Sequence, residues 1–329
     1  MSSPVSRLPS PGSRENAGLH RFAVGTACAT LFLIVAGGLV TSTESGLSVP
    51  DWPLSYGRLM PPMVGGIFYE HGHRMVATAV GLATFVLAIW LARRESRAWV
   101  RRLGWAALAA VVAQGVLGGL TVIFLLPTSI SVGHACLAQT FFCIVVTLAV
   151  VTSPRWRDGR FPGAVSVSRT GAIAVAAIFA QLLIGAVMRH DRAGLAIPDF
   201  PLALGRLVPP ITSFGVGIHF AHRVWALVVA GCVAACLASA VRSRRSGLAR
   251  TGAALAGLVL VQIALGAATV LSRKAVPIAT AHVATGALLL GTAFAFTVGS
   301  LRIPLGRPDR RPAEAGAAAS AGREAIAWK

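Results

Sequence analysis

The stretch ESGLSVPDWPLSYGRLMPPMVGGIFYEHGHRM, residues 44–75, decides the fold, because most of it occurs twice in the chain. Residues 46–62 read GLSVPDWPLSYGRLMPP, and residues 194–210 read GLAIPDFPLALGRLVPP. Most positions are identical, and Ser/Ala, Val/Ile and Trp/Phe exchanges account for most of the others. Self-similarity of this kind indicates a duplicated unit. The sequence therefore predicts two copies of one structural unit.

Long apolar runs around each copy predict helices that cross a membrane. The 329 residues are 55% hydrophobic and 12% charged, whereas soluble domains carry about 25% charged residues. Runs of about 20 apolar residues are long enough to cross the hydrocarbon core of a bilayer. We expect eight spans, four in each copy, near residues 21–41, 73–92, 103–123, 131–152, 170–188, 216–241, 251–271 and 279–300.

The repeat also predicts how these spans are arranged. Because each copy has an even number of spans, both copies have the same orientation and are related by an axis along the membrane normal. The predicted fold is an all-α integral membrane protein, with eight transmembrane helices in two parallel-repeat four-helix bundles. Its N-terminal half covers residues 21–152 and its C-terminal half covers residues 170–300.

The positions of the 30 Lys and Arg residues predict the orientation. Most of them lie in the two tails and in the loops near residues 93–102, 153–169 and 242–250. Cytoplasmic loops collect Lys and Arg, so we expect cytoplasmic tails at residues 1–20 and 301–329 and a cytoplasmic linker at 153–169. The net charge of +19 does not indicate nucleic acid, because the bases lie between apolar runs and not along one amphipathic face. Attraction to anionic membrane lipid is a by-product of this topology.

Four histidines lie near the starts of the second and fourth predicted span of each copy. Facing imidazoles in a four-helix bundle are the usual geometry for axial ligation of a haem iron. Packing or hydrogen-bonding histidines are the alternative, which a pair repeated in both copies disfavours, because polar residues within a membrane are costly. A zinc or copper site is also disfavoured, because no Cys or carboxylate stands beside three of the four. The four candidate ligands are His73, His134, His222 and His282.

Charged residues beside these histidines are further candidates. Arg74 and Arg223 each follow a histidine directly, and a guanidinium at the outer interface can pair with haem propionates. The alternative is an arginine that anchors its helix at the interface. Glu70 lies one helical turn before His73 and can accept a proton, and a charge stabilised at a helix N-terminus is the alternative interpretation. Because His219 stands at the equivalent position of the second copy, only the first half has this carboxylate.

A second shared signature, Gln-x-x-x-Gly, occurs on three predicted spans. Small residues there allow helices to approach closely, and the amide is either a contact between helices or a contact to a porphyrin edge; packing is the favoured account. His190 is predicted to lie in a loop outside the repeat. The pairs are Gln114/Gly118, Gln181/Gly185 and Gln262/Gly266.

The chain resembles the haem A synthase family over roughly residues 21–300. The features that carry the resemblance are the segment TESGLSVPDWPL, the later Pro pair, EHGHR, both His-Arg pairs and the arrangement of four plus four spans. The resemblance implies an oxidoreductase that acts on a CH group and oxidises the C8 methyl of haem O to a formyl group, giving haem A for cytochrome oxidase. It implies that His73 and His134, with Arg74, surround the substrate haem O in the N-terminal half. It implies that His222 and His282, with Arg223, hold a haem b cofactor in the C-terminal half, and that Glu70 is the catalytic acid.

The resemblance also implies a setting in the bacterial plasma membrane, with both termini cytoplasmic. The partners that it suggests are a haem O-forming farnesyltransferase and cytochrome oxidase assembly factors. Membrane lipid would surround the chain, and the resemblance is compatible with a homo-oligomer. Many members carry a cysteine pair in the first outer loop, where this chain has Ser55. A quinone-linked di-haem b-type electron carrier is the alternative function. A transporter built on parallel repeats is a further alternative. Such a protein would have charged residues or broken helices near the middle of the membrane, whereas this chain has its ionisable residues near the ends of the spans.

Overall fold

Eight long helices form the framework of the protein. The computed structural model describes residues 11–158 and 164–301, with side chains described from residue 17 onward. Each of these eight helices has the length and the apolar composition that are needed to cross a membrane, which confirms the predicted all-α fold with eight spans. The helices are α1 (Pro11–Ser42), α2 (Gly66–Arg94), α3 (Ala98–Ile123), α4 (Thr128–Thr152), the single-turn α5 (Pro154–Arg157), α6 (Val165–His190), α7 (Phe214–Arg242), α8 (Ser246–Leu271) and α9 (Val276–Ser300), with a 3-10 turn at Ala193–Leu195.

Several helices begin earlier than the apolar runs predict. α2 begins at Gly66 and not near residue 73, because the backbone stays helical through the polar EHGHR segment. His73 therefore lies about 10 Å along α2 from its first residue, at 1.5 Å per residue, and not at the helix start. α1 likewise begins before residue 21, and Leu19 is buried in the core of the N-terminal half. The outer parts of the predicted tails and the middle of the predicted linker lie outside the described residues.

The helices of each half pack around one another in the same order. In the N-terminal half α1 and α3 each contact both α2 and α4, and in the C-terminal half α6 and α8 each contact both α7 and α9. Each half buries its own apolar cluster, with Leu87 and Leu148 in the first and Leu255 and Leu290 in the second. The division into two repeat-related bundles, at residues 21–152 and 170–300, stays a prediction.

The two halves meet along their fourth helices. α9 contacts both α1 and α4, and α4 also contacts α6. A Cβ added at Gly291 of α9 would lie 2.6 Å from the ring of Phe142 on α4, so only glycine lets the two helices approach this closely. α9 is the most buried of the eight spans. The centre of the molecule is therefore the contact between α4 and α9.

The loop between α1 and α2, called the first outer loop because the sequence predicts it on the outer side, contains a tight turn at Tyr56 and Gly57. Both residues have positive φ, as in the type I′ turns of β-hairpins, and Ser55 and Arg58 exchange two backbone hydrogen bonds of 2.9 and 3.1 Å around them. The Asp51 carboxylate accepts hydrogen bonds from the backbone N–H groups of Tyr56 at 2.6 Å and Gly57 at 2.8 Å. The side chain of Asp51 thus holds the turn together.

The second outer loop repeats this turn with different side chains. Ala203 and Arg206 exchange the two backbone bonds, and Leu204 and Gly205 have the positive φ values. Asp199 accepts from both turn amides at 2.8 Å. A cis peptide bond precedes the equivalent proline of each loop, at Trp52–Pro53 and Phe200–Pro201. The duplication seen in the sequence is therefore also present in the backbone of the loops.

Candidate functional site

Each of the four predicted haem-ligand histidines packs against a glycine on the preceding helix. A Cβ at that glycine would come within about 3 Å of the imidazole, closer than most real contacts of a Cβ atom, so the ring would have to shift to make room for it. The same glycine seat for an imidazole thus occurs four times, in the helix pairs α1–α2, α3–α4, α6–α7 and α8–α9. In chain order the pairs are Gly37/His73 at 3.0 Å, Gly118/His134 at 3.0 Å, Gly185/His222 at 2.9 Å and Gly266/His282 at 3.1 Å, measured from the added Cβ to the ring Cε1.

In the C-terminal half the two imidazoles that the sequence predicts as ligands lie close to each other. The ring centres of His222 on α7 and His282 on α9 are 6.4 Å apart, with their planes at 65°. Two imidazoles that bind one ion through bonds of about 2.0 Å have ring centres roughly 6 Å apart. Within the described residues, no group of three or more His, Cys, Asp or Glu could hold a metal ion. A haem iron needs only two protein ligands, so this pair fits it.

In the N-terminal half, His73 and His134 come from the corresponding helices, α2 and α4. The Nδ1 atoms of both rings are buried, and neither has a hydrogen-bond partner in the described part of the chain. Buried polar atoms are almost always paired in proteins, so such atoms indicate a site for a further group. The structure therefore has a candidate haem site in each half.

Glutamine amides on the preceding helices contact three of the four histidines. Gln114 Nε2 donates to the backbone oxygen of His134 at 2.9 Å and lies 3.2 Å from His134 Nε2. Gln181 donates to the backbone oxygen of His222 at 2.9 Å and lies 3.3 Å from both ring nitrogens. Gln262 lies 3.4 Å from His282 Nε2. The Gln-x-x-x-Gly signature thus combines a close approach of helices with hydrogen bonds to the predicted ligands.

Glu70 and Arg74 fix the first outer loop on α2. Glu70 accepts the backbone N–H of Val49 at 2.8 Å through one oxygen and pairs with Arg74 at 2.7 Å through the other. Arg74 also donates to the backbone oxygens of Asp51 at 2.8 Å and Leu54 at 2.9 Å. In this structure both side chains hold the loop, and their predicted roles toward a haem stay predictions.

The C-terminal half fixes its loop without a carboxylate. His219 stands where the first half has Glu70, and its Nδ1 accepts the backbone N–H of Ile197 at 3.3 Å. Arg223 donates to the backbone oxygens of Leu202 at 2.9 Å and Asp199 at 2.8 Å. Holding the loop therefore does not require an acidic residue at this position.

A buried Ser–His pair lies under the first loop, and the sequence reasoning missed it. Ser55 Oγ lies 2.8 Å from His71 Nδ1, both residues are buried, and His71 Nε2 has no hydrogen-bond partner among the described residues. The equivalent residues of the second copy are Ala203 and Phe220. The signal in the sequence is this joint change of two positions from polar to apolar between the copies.

The loop prediction for His190 is wrong, because α6 continues through Arg189 and ends at His190. Arg189, which the sequence placed on the outer side between spans, is also helical. It donates to the backbone oxygen of Gly38 and to Ser42 Oγ, both at 2.8 Å, and so joins α6 to the end of α1. The helix extends past the apolar run because these polar groups find partners in the other half.

The turn carboxylates have perturbed acidity. Hydrogen bonds from the backbone N–H groups of Gly57 and then Tyr56 hold the pKa of Asp51 below its ordinary value of 3.8. Gly205 and then Leu204 lower the pKa of Asp199 in the same way. Hydrogen bonds to the charged form of a carboxyl group favour that form. Both turns therefore contain ionised carboxylates at neutral pH.

Comparison with known proteins agrees with this geometry. The COX15-CtaA family, described as cytochrome oxidase assembly protein, matches residues 20–65 and 64–294. A heme A synthase from Halalkalibacterium halodurans is 32% identical over 294 residues, which cover 83% of this chain and 95% of the relative. Heme A synthases from Symbiobacterium thermophilum and Sphingopyxis alaskensis are 31% and 30% identical, covering 76% and 86% of this chain and 84% and 90% of the relatives. With its eight membrane-spanning helices, the chain is a multi-pass membrane protein that belongs to the COX15-CtaA family of cytochrome oxidase assembly proteins.

Proposed function

We propose that this chain is a haem A synthase, an oxidoreductase that converts the C8 methyl group of haem O to the formyl group of haem A. The observation that carries the proposal is the pair of imidazoles, His222 and His282, with ring centres 6.4 Å apart. The repeated glycine seats extend the same arrangement to His73 and His134. The relatives named heme A synthase support the choice of substrate.

The two sites have different tasks in this proposal. His73 and His134 hold haem O as substrate in the N-terminal half, and His222 and His282 hold haem b as cofactor in the C-terminal half. When bound, haem b supplies a route for electrons that leave the substrate. Arg74 and Arg223 hold the loops through hydrogen bonds to backbone oxygens, and their guanidinium groups would supply positive charge for the propionates of a bound haem.

The first loop shields the substrate site from bulk water. Trp52 of this loop packs on Gly119 of α3, where an added Cβ would lie 2.5 Å from the indole ring. The neighbouring residue, Gly118, is the seat of His134. Glu70 and Arg74 fix the backbone of the same loop on α2. In this proposal the loop limits access of water to the substrate site, which would strengthen electrostatic interactions inside it.

Glu70 accepts a proton as the methyl group is oxidised. The support for this role is the comparison of the two halves, since His219 holds its loop without a carboxylate. A carboxylate at a membrane boundary carries a desolvation cost, so its presence in only one half calls for a role specific to that half. Arg74 at 2.7 Å stabilises the ionised form, which is the form that accepts a proton.

The setting that we propose is the bacterial plasma membrane with both termini in the cytoplasm. Its support is the concentration of Lys and Arg in the predicted cytoplasmic segments, and reporters fused after Ser55 and Gly247 would read the two sides. A haem O-forming farnesyltransferase would supply the substrate, and cytochrome oxidase assembly factors would receive the product. Extraction of haem separates this function from the alternative, because a di-haem electron carrier would hold haem B alone after expression with a haem O-forming enzyme.

We predict that Glu70→Gln lowers formation of haem A by at least about 100-fold, the usual loss when a general base is removed. Gln keeps an acceptor for the Val49 N–H, so haem binding and the low-spin spectrum of the C-terminal site should change little. The assay is mass analysis of extracted haem after expression with a haem O-forming enzyme. His219→Gln at the equivalent position of the second half is the matched control and should keep haem A formation. Near-normal haem A from Glu70→Gln would leave Glu70 as a residue that only holds the loop.

A further inference from the structure

One of the four imidazole seats lacks the amide that the other three possess. The glutamines lie four residues before the glycine of the seat, at Gln114, Gln181 and Gln262. Four residues before Gly37, the seat of His73, the chain has Leu33. Leu33 and Gln181 are equivalent positions of the two copies. The repeat is therefore broken at one position, beside one predicted ligand.

The contacts show what this exchange changes. Gln181 donates a 2.9 Å hydrogen bond to the backbone of His222, and its amide also lies 3.3 Å from the ring nitrogens. Leu33 packs against the apolar cluster of the N-terminal half and offers no hydrogen bond. In the described part of the chain the ring of His73 has no hydrogen bond, whereas each of the other three rings has a glutamine amide within 3.4 Å of a ring nitrogen. Position 33 thus offers His73 no hydrogen bond.

A hydrogen bond fixes the direction of a ring, whereas contact with a leucine side chain resists rotation much less specifically. Two ligands with fixed ring orientations keep a cofactor permanently bound. A substrate haem must enter and its product must leave, so at least one of its ligands has to release it. The single seat without an amide lies in the half that we assign to the substrate.

We infer that Leu33 makes His73 the releasable ligand of the substrate haem, and that the iron face at His73 is the one that opens to a small ligand. The other three predicted ligands, His134, His222 and His282, each have a glutamine amide beside the ring. Leu33 is in this view a positioning residue that acts through His73. The inference rests on the proposed function, because it requires a substrate haem in the N-terminal half.

The test is a cyanide titration of the purified ferric protein with haem B in both sites, followed by its absorbance. In the unaltered chain, one of the two haems should bind cyanide. Leu33→Gln supplies the missing amide and should weaken this binding about tenfold, the upper range for one hydrogen bond. Gln181→Leu makes the reverse exchange and should allow the second haem to bind cyanide. Gln139→Leu is the control, because the Gln139 amide makes no hydrogen bond to any of the four histidines.

Two outcomes would overturn the inference while leaving the proposed function in place. One is a chain with haem in both sites and the same cyanide affinity before and after Leu33→Gln. The other is a Gln181→Leu protein in which the second haem still does not bind cyanide. If Leu33→Gln does not fold, the result for Gln181→Leu decides the question alone. A chain that binds no haem would overturn the proposed function and the inference together.

Discussion

At the scale of single residues, the two copies fill the space under their loops with different side chains, a polar pair in the first copy and an apolar pair in the second. Under the first loop Ser55 and His71 form a buried hydrogen bond of 2.8 Å. Under the second loop Ala203 is buried in an apolar cluster, and Phe220 packs against it. A buried polar pair is stable only when both partners are present, whereas an apolar pair of suitable shape replaces it at little cost. The second copy therefore shows which double substitution the first should accept.

We predict that Ser55→Ala lowers the free energy of unfolding by about 1–3 kcal/mol, because it leaves the buried His71 Nδ1 unpaired. The double variant Ser55→Ala/His71→Phe reproduces the residues of the second copy and should recover most of this loss. The measurement is a double-mutant cycle from denaturation of the purified protein in detergent. Simple additivity of the two single changes would contradict the coupling that we expect.

At the scale of elements, the outer loops are the parts that place the site. Each loop is held by an Asp that closes its turn, by an Arg from the following helix and by one acceptor a turn earlier on that helix. The same three anchors occur in the second loop. The loop geometry is thus fixed by side chains that contact backbone, and in each turn it depends on an ionised Asp carboxylate.

We predict that the first turn loosens only in acid. Because the folded-state pKa of Asp51 is lowered, its stabilising effect is present above the ordinary value of 3.8 and is lost as the pH falls through the lower folded-state value. Hydrogen exchange should show protected Tyr56 and Gly57 amides at pH 5 and weaker protection at about pH 3. Asp51→Asn should show weak protection at both pH values, while the second turn, held by Asp199, stays protected at pH 5. Strong protection of both amides in Asp51→Asn would contradict the assignment.

Sequence patterns predict the elements well and their ends poorly. Apolar run length is a local property, so the eight spans and the glycine positions could be read directly. Helix starts such as Gly66, and the helical end at His190, depend on polar contacts with other segments, which have no period in the sequence. The Ser55–His71 bond and the backbone contacts of Arg74 are long-range in the same sense. The asymmetry at Leu33 is visible in the repeat, but its meaning needs the contacts of Gln181 with His222.

At the scale of the whole molecule, the question is what keeps the two halves in one fixed relation. Apolar contacts of α4 and α9 form the centre, and a polar junction lies where α6 meets α1. Here Arg189 donates two 2.8 Å hydrogen bonds to Gly38 and Ser42, and Thr280 of α9 donates to Ser42 at 3.1 Å. Gly38 adjoins Gly37, the seat of His73, so this junction also connects the C-terminal half to the substrate site that we propose.

We predict that Arg189→Met destabilises the protein by about 2 kcal/mol, within the range for hydrogen bonds made by a charged group. Among the described residues Arg189 has no carboxylate partner, so the loss should come from its bonds to Gly38 and Ser42 and should depend little on salt. Arg192→Met removes the same charge from an exposed position nearby and serves as the control. The thermal midpoint in detergent, at low and high salt, measures both effects. Equal midpoints for the two variants would mean that the halves are held by apolar contacts alone, and a larger loss at low salt would indicate that Arg189 stabilises the protein by its charge and not by these two bonds.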